Sequence, residues 1–435
     1  MPRRITTPAK RAARTSPSRR NPRPGPAALF IGALAMIAAA AGCQPQLDWL
    51  EYRGKDGSGA TTNALYPPLG LRWKLRLQFK GDEAASFNPP IIKGETIFFG
   101  SSDGNFYALD AESGYMRWIF PTKNAVNSVP FADDDTVYFG SNDGTVYAVN
   151  IEDGKERWRF ATGNTVQSLI LRYGDNVIFT SDTGATFFLD LNGKLQHKIP
   201  NPVWSHHTFQ VYDGIVYWAP RLRGFGAYDI EKRKFLWNVR VNINYPVWYS
   251  FPAIDEENVY YASNFFTGRG STLQYYALNR VTGAEVWEKK REYDWSRFSA
   301  QNADNIFYRH VDLLDYMAPS LWGDLVIYTS GDSTVRAFYK ESGDIAWTRQ
   351  FDYHTSSAPT IAGDRIYFGV LGDERERSGG VIEALPKLVC LSARTGDVLW
   401  EMDLEGAVLS APVISGKRML FGTDRNMFYV LEEIF

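Results

Sequence analysis

Cysteine is scarce in this sequence: only Cys43 and Cys390 occur among its 435 residues. A chain with two cysteines cannot be a small scaffold that is held together by a network of disulfides. Long hydrophobic runs are missing as well. The longest apolar stretch, residues 27–41, is too short to cross a bilayer core of about 30 Å comfortably, which excludes a multi-span membrane protein. With 44% hydrophobic residues, the chain is still apolar enough to fold around a core.

Basic residues are in the minority once the amino terminus is set aside. Residues 1–42 contain eight Lys and Arg but no Asp or Glu, which leaves 39 basic against 49 acidic residues in the remainder. A body with a net charge of −10 repels the phosphate backbone. Nucleic-acid binding is therefore excluded as its main function.

Residues 1–42 are typical of a secretory signal peptide, with a basic segment, a short apolar run and small residues at its end. The run ends in Ala40-Ala41-Gly42-Cys43, which resembles the bacterial lipobox with Ala where Leu is usual. The resemblance implies cleavage before Cys43 and its acylation, palmitate included, which gives a stable anchor. Ordinary cleavage that leaves Cys43 free is the alternative. By resemblance to enterobacterial lipoproteins, Gln44 in place of Asp implies the outer membrane. We therefore predict a lipid-anchored protein of the cell envelope on the periplasmic face, with residues 43–68 as anchor linker and lead-in.

One motif recurs along the rest of the chain. Its clearest copy reads Gly104-Asn-Phe-Tyr-Ala108-Leu-Asp110-Ala-Glu-Ser-Gly114-Tyr-Met-Arg-Trp118, and the copy from Gly144 to Trp158 keeps the same spacing. One copy is degraded and has His197 in place of the tryptophan. The tryptophans of the motif are Trp73, Trp118, Trp158, Trp237, Trp287, Trp347 and Trp400.

Each copy predicts four short β-strands, which we call A to D in chain order. Alternating β-branched and aromatic residues mark the strands, and pairs such as Asp103-Gly104 suit tight hairpins between B and C. A four-stranded unit of about 40–50 residues that repeats radially is a propeller blade, and residues 69–435 allow about 46 residues for each of eight blades. We therefore predict an all-β fold: an eight-bladed β-propeller of four-stranded antiparallel blades.

Both ends of the repeat region contribute to the eighth blade in this prediction. Residues 410–435 supply strands A to C without a tryptophan strand, and the segment around Trp73 supplies strand D alone. Joining the two closes the ring and removes an open sheet edge. The motif tryptophans are predicted to be structural, because an indole on strand D can pack on the small Ala of strand C between neighbouring blades. Cys390 stands at that Ala position and is predicted to be a small buried residue rather than a nucleophile.

The motif Ala-x-Asp-x3-Gly-x3-Trp resembles the repeat of the PQQ-like β-propellers, and Trp49-Leu-Glu-Tyr52-Arg53-Gly54 resembles their lead-in. The resemblance covers residues 49–435 and is closest to the BamB-like lipoproteins. It implies a non-enzymatic, periplasm-facing propeller that binds protein partners, namely outer-membrane or envelope assembly proteins. The quinoprotein dehydrogenases are the alternative, and they imply a quinone- or metal-dependent oxidoreductase with PQQ and calcium over the axis. They fit less well, since many carry an adjacent cysteine pair that this chain lacks. We predict no catalytic residues and no cofactor.

Three connections are longer than the others: residues 264–272 and 371–387 between strands B and C, and residues 289–316 between D and A. They fall in blades five to seven and share one face in this topology. Loops that are built out from a rigid scaffold commonly bind, and aromatic and Arg side chains dominate interface energies. The alternative is that these residues pack on each other, and exposed aromatics alone also suit a carbohydrate binder. The predicted partner-binding residues are Phe265, Phe266, Arg269, Tyr293, Trp295, Arg297, Tyr308 and Arg309.

The histidines are predicted not to form a metal site. His206 and His207 are adjacent and point apart in a strand or turn, whereas the others are far apart in sequence. Their convergence with Asp312 or Asp315 near the channel mouth is the alternative.

Overall fold

The computed structural model describes residues 48–77, 88–182, 185–200, 209–218, 225–239, 247–266, 270–294, 318–376 and 382–434. Within these ranges every regular element is a β-strand except one 3-10 turn, Lys55–Gly57. They contain no helix that has the length and apolar character needed to cross a membrane. The predicted signal peptide and Cys43 lie outside the described residues, so acylation and the boundaries of the leader stay predictions.

Two strands precede the repeats, and the first four blades then follow as four-stranded antiparallel sheets. The early strands are β1 (Ala60–Thr61) and β2 (Leu69–Arg76). Blades 1 to 4 consist of β3 (Ile91–Lys93), β4 (Thr96–Gly100), β5 (Asn105–Asp110) and β6 (Met116–Pro121); β7 (Phe131–Ala132), β8 (Thr136–Gly140), β9 (Thr145–Asn150) and β10 (Glu156–Ala161); β11 (Leu171–Tyr173), β12 (Asn176–Ser181), β13 (Ala185–Leu189) and β14 (Leu195–Pro200); and β15 (Phe209–Tyr212), β16 (Ile215–Trp218), β17 (Phe225–Asp229) and β18 (Lys234–Val239).

Blades 5 to 8 complete the ring, and blades 5 and 7 have additional strands. Blade 5 consists of β19 (Val247–Tyr249), β20 (Ala253–Ile254), β21 (Asn258–Phe266), β22 (Gly270–Asn279) and β23 (Glu285–Asp294), and blade 6 of β24 (Ser320–Trp322), β25 (Leu325–Tyr328), β26 (Thr334–Tyr339) and β27 (Ile345–Gln350). Blade 7 contains β28 (Thr360–Ala362), β29 (Arg365–Val370), β30 (Asp373–Glu376), β31 (Ile382–Ala384), β32 (Lys387–Ser392) and β33 (Val398–Asp403), and blade 8 contains β34 (Val413–Ser415), β35 (Arg418–Gly422), β36 (Met427–Glu433) and β2.

The sheet order β2-β36-β35-β34 confirms that early and late strands share the last blade. Trp73 of β2 pairs with Val430 of β36 in antiparallel register. The predicted all-β, eight-bladed propeller is therefore confirmed, and its closure leaves no terminal blade unpaired.

The motif tryptophans lie at the seams between blades. Trp118 pairs with Ala108 across its own sheet, and its indole Nε1 donates a 2.9 Å hydrogen bond to the carbonyl of Ile151 in the next blade. A Cβ on Gly154 of that blade would lie 2.7 Å from the indole, and Gly154 has φ +68°. Glycine is thus required there both for the turn and for the close approach. The same bond to the following blade is made by Trp73, Trp158, Trp237, Trp287 and Trp347.

The seam between blades 3 and 4 differs. His197 occupies the tryptophan position and stacks on Phe188 of its own blade, with ring centroids 4.0 Å apart. Its Nε2 lies 3.5 Å from the hydroxyl of Tyr228 in blade 4, and its buried Nδ1 has no hydrogen-bond partner among the described residues. Arg233 stands where the other blades have glycine, with φ +51°. This seam therefore lacks the indole-to-carbonyl bond.

Aromatic stacking fills the space between other blades. The rings of Phe106 and Phe139 lie 3.9 Å apart in blades 1 and 2, and Phe225 and Tyr261 lie 4.3 Å apart in blades 4 and 5. Cys390 is fully buried opposite Trp400, and burial raises the pKa of its thiol to about 12. A thiol with that pKa is not an activated nucleophile.

Serine residues hold the innermost strand of several blades to the second strand. The hydroxyl of Ser128 accepts a 2.6 Å bond from the amide of Gly140 and donates to its carbonyl at 3.0 Å. Ser168 makes the same pair of bonds with Thr180. These contacts pair buried backbone groups where the innermost strand begins.

Candidate functional site

The antiparallel order of each blade creates two faces. We call the face with the A–B and C–D turns the turn face, and the face with the B–C and D–A connections the loop face. In this topology the three long connections predicted from the sequence belong to the loop face of blades 5 to 7, which is the candidate site.

Blade 5 extends beyond its neighbours on the loop face. Its strand β21 has nine residues, and β22 and β23 have ten each, against six in β5 and β6 of blade 1. Strand β19 adds a further partner, since Val247 pairs with Phe265. The prediction that residues 264–272 form a loop was wrong, because backbone pairing continues out to Phe266 and Ser271. The Phe, Ser and Thr residues of this segment favour strand, and they extend the hairpin.

The other two long connections are also partly strand. Residues 371–387 include the short hairpin of β30 and β31, in which Asp373 pairs with Ala384. Strand β23 continues through Asp294, so the first part of the predicted connection 289–316 belongs to the sheet. The sequence therefore predicted which blades have the longest connections, but part of each predicted loop forms β-strand in the structure.

Three of the predicted partner-binding residues lie together in this extension. Phe266 and Tyr293 both pair with Ser271, from opposite sides, and Phe265 pairs with Thr272. The remaining five lie outside the described residues, so their part in the site stays a prediction; these are Arg269, Trp295, Arg297, Tyr308 and Arg309.

A polar cluster supports the base of the extension. The hydroxyl of Tyr276 donates a 2.6 Å bond to Oε1 of Gln274, and Nε2 of Gln274 donates to a carboxylate oxygen of Glu288 at 3.2 Å. All three residues lie on β22 and β23. Burial raises the pKa of Tyr276, so the phenol stays protonated as a donor. These bonds tie the two longest strands together where they leave the propeller.

A buried ion pair connects this base to blade 6. Arg336 Nη1 donates to Oδ1 of Asp332 at 2.9 Å and to the hydroxyl of Tyr275 at 3.1 Å. Burial alone would lower the pKa of Arg336, but Tyr275 and the Asp332 carboxylate raise it overall. In blade 1 the matching pair is Asp103 and Tyr107. Blade 6 thus has Arg336 at the position of Tyr107 in blade 1, and the bond from Arg336 to Tyr275 links blade 6 to blade 5.

His354 packs beside this pair. Its Nδ1 lies 3.2 Å from the hydroxyl of Ser333, which stands at φ +65° in the B–C turn of blade 6. Burial lowers the pKa of His354, whereas the backbone of Gly331 and the charge of Asp332 act in the opposite direction. Ser333 is completely buried, so this Ser–His pair has no exposed nucleophile and its role is structural.

The lead-in runs along the innermost strands of the ring. Asp48 accepts a 2.7 Å bond from the amide of Gly94, and Trp49 exchanges backbone bonds with Ile92 in blade 1. Further on, Gly59 accepts from the amide of Ile361 in blade 7, where β1 pairs in parallel with β28. The chain therefore runs along the inner strands from blade 1 to blade 7.

Tyr52 and Arg53 fill the middle of this path. The ring of Tyr52 lies 4.7 Å from that of Phe251. The Arg53 side chain is buried, and its Nη2 donates to Ser320 at 2.8 Å and to the carbonyl of Pro319. Burial lowers the pKa of Arg53 to about 10. Tyr52 belongs to one apolar cluster with residues at the starts of inner strands, among them Val129, Leu169, Phe251, Ala318, Ala358 and Ala411.

The described surroundings of Tyr52 and Arg53 do not suit calcium. Calcium takes six to eight oxygen ligands and favours carboxylates, whereas an apolar cluster surrounds Tyr52 and the neighbouring buried group, Arg53, is a cation. Nowhere do the described residues bring together three or more His, Cys, Asp or Glu as a metal site. His206, His207 and His310 lie outside the described ranges, and the absence of a cofactor stays a prediction.

A family model described as "Outer membrane protein assembly factor BamB", one of the PQQ-like repeat models, matches residues 70–203, 276–378 and 380–433. These ranges make up more than half of the chain. The chain belongs to this family. The BamB protein of Moranella endobia (strain PCIT) is 24% identical over 151 residues, which are 32% of this chain and 34% of that protein. The matched part thus spans about a third of that relative's length.

Solved structures share the architecture at low identity. The crystal structure of BamB from Moraxella catarrhalis matches with 17% identity and a TM-score of 0.61, over 84% of this chain and 99% of that one. Quinohemoprotein alcohol dehydrogenase from Comamonas testosteroni matches with 13% identity and a TM-score of 0.64, over 91% and 82%. Both likenesses show the fold alone, so the propeller by itself does not separate an assembly factor from a dehydrogenase.

Proposed function

We propose that this protein is a non-enzymatic, lipid-anchored propeller that faces the periplasm and binds protein partners in the assembly of outer-membrane proteins or as an envelope scaffold. The family match over residues 70–203, 276–378 and 380–433 carries the proposal. The likeness to BamB over 99% of its chain supports it. Cys43 is the proposed site of acylation, and the outer membrane is the proposed location.

The loop face of blade 5 is the proposed docking element. Its hairpin is anchored by the bonds among Gln274, Tyr276 and Glu288, so it presents a rigid edge rather than a free loop. Rigid elements lose little entropy on binding. Phe265, Phe266 and Tyr293 on the hairpin are proposed to contact the partner, together with Arg269, Trp295, Arg297, Tyr308 and Arg309.

Shortening the hairpin tests this proposal. Ser263 pairs with Gln274, so replacing residues 264–273 by Asn-Gly closes the hairpin with a two-residue turn at that position. We expect affinity purification of the full-length wild type from detergent-solubilised envelopes to recover outer-membrane assembly proteins, and the shortened variant to recover at least about tenfold less. Tyr115→Ala, on the exposed turn face, is the matched control and should recover as much as the wild type.

A photo-crosslinking residue at Phe266 gives a second measurement that does not depend on the shortened variant folding. We expect it to crosslink to an envelope protein in intact cells, whereas the same residue at Tyr115 should not. Failure to recover or crosslink any envelope protein would contradict the proposal.

An oxidoreductase of the quinoprotein type is the second candidate function. It is supported by the structural similarity to the quinohemoprotein alcohol dehydrogenase, with a TM-score of 0.64. A purified sample that carries bound quinone absorbance and stoichiometric calcium would support this candidate. A colourless sample that takes up neither added PQQ nor calcium would exclude it.

A further inference from the structure

Directed polar bonds hold the two seams that flank the pair of blades 3 and 4. Between blades 2 and 3, Arg172 forms a 2.7 Å ion pair with Asp133. Between blades 4 and 5, the indole of Trp237 and the hydroxyl of Tyr217 both donate to the carbonyl of Arg280, at 3.0 and 3.3 Å. Each of the two blades is therefore fixed to its other neighbour by groups that must keep their geometry.

The seam between blades 3 and 4 is held almost entirely by apolar packing. Of the hydrogen bonds that join two described residues, only the 3.5 Å contact between His197 Nε2 and the Tyr228 hydroxyl crosses it. The buried His197 Nδ1 and the indole Nε1 of Trp218 make no hydrogen bond to any described residue. Phe188, Trp218 and Tyr228 belong to one apolar cluster at this seam. Apolar packing is non-directional, so these blades can separate without breaking a strong polar bond.

The lead-in does not add backbone bonds at this seam within the described part of the chain. The carbonyl of Leu50 accepts from the amide of Ala132 in blade 2, and the carbonyl of Ser58 accepts from the amide of Leu321 in blade 6, both at 3.0 Å. Tyr52, which lies between these points, contributes to the apolar cluster of blades 3 and 4 through its side chain. The inner side of the seam is thus packed but not bonded to the lead-in backbone.

His197 lies at this seam beside a cation. Phe188 and Tyr228, whose rings contact the imidazole, are uncharged at neutral pH. Arg233, in the C–D turn of blade 4, is a charged group that acts on the imidazole. The other charged groups of these hairpins are exposed or bonded within their own hairpin, namely Asp190, Lys194, Lys198, Asp229, Glu231, Lys232 and Lys234.

Protonation of His197 would weaken the seam. Burial lowers the pKa of His197, and the charge of Arg233 lowers it as well. An imidazolium needs an acceptor for each of its two N–H groups, and no described residue accepts from Nδ1. Because the pKa is lower in the folded state, the neutral ring contributes stability that is complete above pH 6.5 and is lost as the pH falls below it.

We propose that the ring opens at the seam between blades 3 and 4, and that protonation of His197 in acid promotes this opening. The seam is then an acid-sensitive element of the propeller. The inference goes beyond the proposed docking function and does not depend on the lipid anchor, since it concerns only residues of blades 3 and 4.

The rate at which a buried thiol becomes labelled tests the opening. In the full-length protein with Cys390→Ala, a single cysteine replaces Val216 at this seam or Val137 at the seam between blades 1 and 2. Both valines are 0% exposed, follow the first residue of the second strand of their blade, and belong to the apolar cluster of the seam that precedes it. The reagent is a pyridyl disulfide, which reacts with thiols in acid as well as at neutral pH, and mass spectrometry of peptides identifies the labelled cysteine.

We expect the thiol at position 216 to be labelled about fivefold faster than that at position 137 at pH 7.5, because the first seam lacks the indole bond of the second. The ratio of the two rates should rise by a further threefold or more, roughly, at pH 5. Taking the ratio cancels the pH dependence of the thiols themselves. Equal rates at both pH values would overturn the opening, and a ratio that does not change with pH would overturn the role of acid.

Two variants show whether His197 is the acid-sensitive group. His197→Phe retains a ring to stack on Phe188 but cannot be protonated, so its ratio at pH 5 should equal its ratio at pH 7.5. Arg233→Glu places a carboxylate beside the imidazolium, so its ratio should fall in acid, and this result does not require the first variant to fold. Lys155→Glu, in the C–D turn of blade 2, is the matched charge reversal and should behave as the wild type. An increase in acid that persists in His197→Phe or in Arg233→Glu would overturn the assignment to His197.

Discussion

The indole of Trp118 donates a 2.9 Å hydrogen bond to the carbonyl of Ile151, which belongs to the next blade. The bond pairs a backbone oxygen in the C–D turn and at the same time closes the gap between two sheets. The arrangement recurs at six seams of the ring, so most neighbouring blades are held together by a side chain that the repeat motif encodes.

Trp118→Phe should destabilise the propeller by about 1 to 3 kcal/mol. The substitution retains much of the aromatic packing but leaves the carbonyl of Ile151 without its donor. Urea denaturation followed by fluorescence measures the shift in midpoint. Tyr115→Phe is the control, because that side chain is 78% exposed and should change stability by less than about 0.5 kcal/mol. A midpoint for Trp118→Phe that equals the wild type would contradict the role of the bond.

The irregular seam between blades 3 and 4 allows the opposite experiment. His197→Trp alone should destabilise the fold, since the side chain of Arg233 stands where other blades leave room for the indole. Arg233→Gly should change stability by less than about 1 kcal/mol, because glycine accepts the positive φ at that turn. The double variant should be more stable than the sum of the singles by about 0.5 to 3 kcal/mol. Strictly additive effects would show that the seam cannot adopt the regular packing.

The eight-bladed ring could be predicted from the sequence because the repeat motif contains the residues that pack between neighbouring blades. Spacing between Ala108, Gly114 and Trp118 located strands C and D, and the lone strand around Trp73 predicted the closure with β36. These features are local, or they repeat, so a single chain is enough to find them. The hydrogen bond from each indole to the following blade joins residues that are far apart in sequence, and no local pattern predicts it.

The candidate site was predicted less well. The segment 264–272 contains two glycines, which favour a loop, beside aromatic and hydroxyl residues, which favour strand, and in the structure the strand preference prevails. Asp332 and Arg336 stand four residues apart, as Asp103 and Tyr107 do, and that comparison between repeats could have found the buried pair. The lead-in around Tyr52 gave no signal of burial, since its contacts are with inner strands far away in sequence.

Asp332→Asn should cost about 3 to 5 kcal/mol, because it leaves the buried guanidinium of Arg336 without its counter-charge. Arg336→Tyr should cost clearly less, since blade 1 already combines Asp103 with Tyr107 in this turn. Thermal unfolding of the two variants gives the comparison. If Asp332→Asn proves the milder change, the ion pair does not hold blades 5 and 6 together.

Glu51 should make stability depend on pH. It lies half-buried in the lead-in, where burial raises the pKa of its carboxyl group from 4.5 to about 7, while the amide of Asp56 donates to it at 2.9 Å and acts in the opposite direction. A carboxyl group whose pKa is higher in the folded state favours folding while it is protonated. Its contribution is therefore complete below pH 4.5 and is lost as the pH rises to about 7.

Glu51→Gln removes this dependence while it keeps an oxygen that can accept from Asp56. At pH 8 the variant should be more stable than the wild type by about 1 to 3 kcal/mol, and near pH 4.5 the two should agree. Urea midpoints at both pH values measure the difference, with Glu152→Gln at an exposed turn as the control. A gain that persists unchanged at pH 4.5 would mean that ionisation of Glu51 is not its cause.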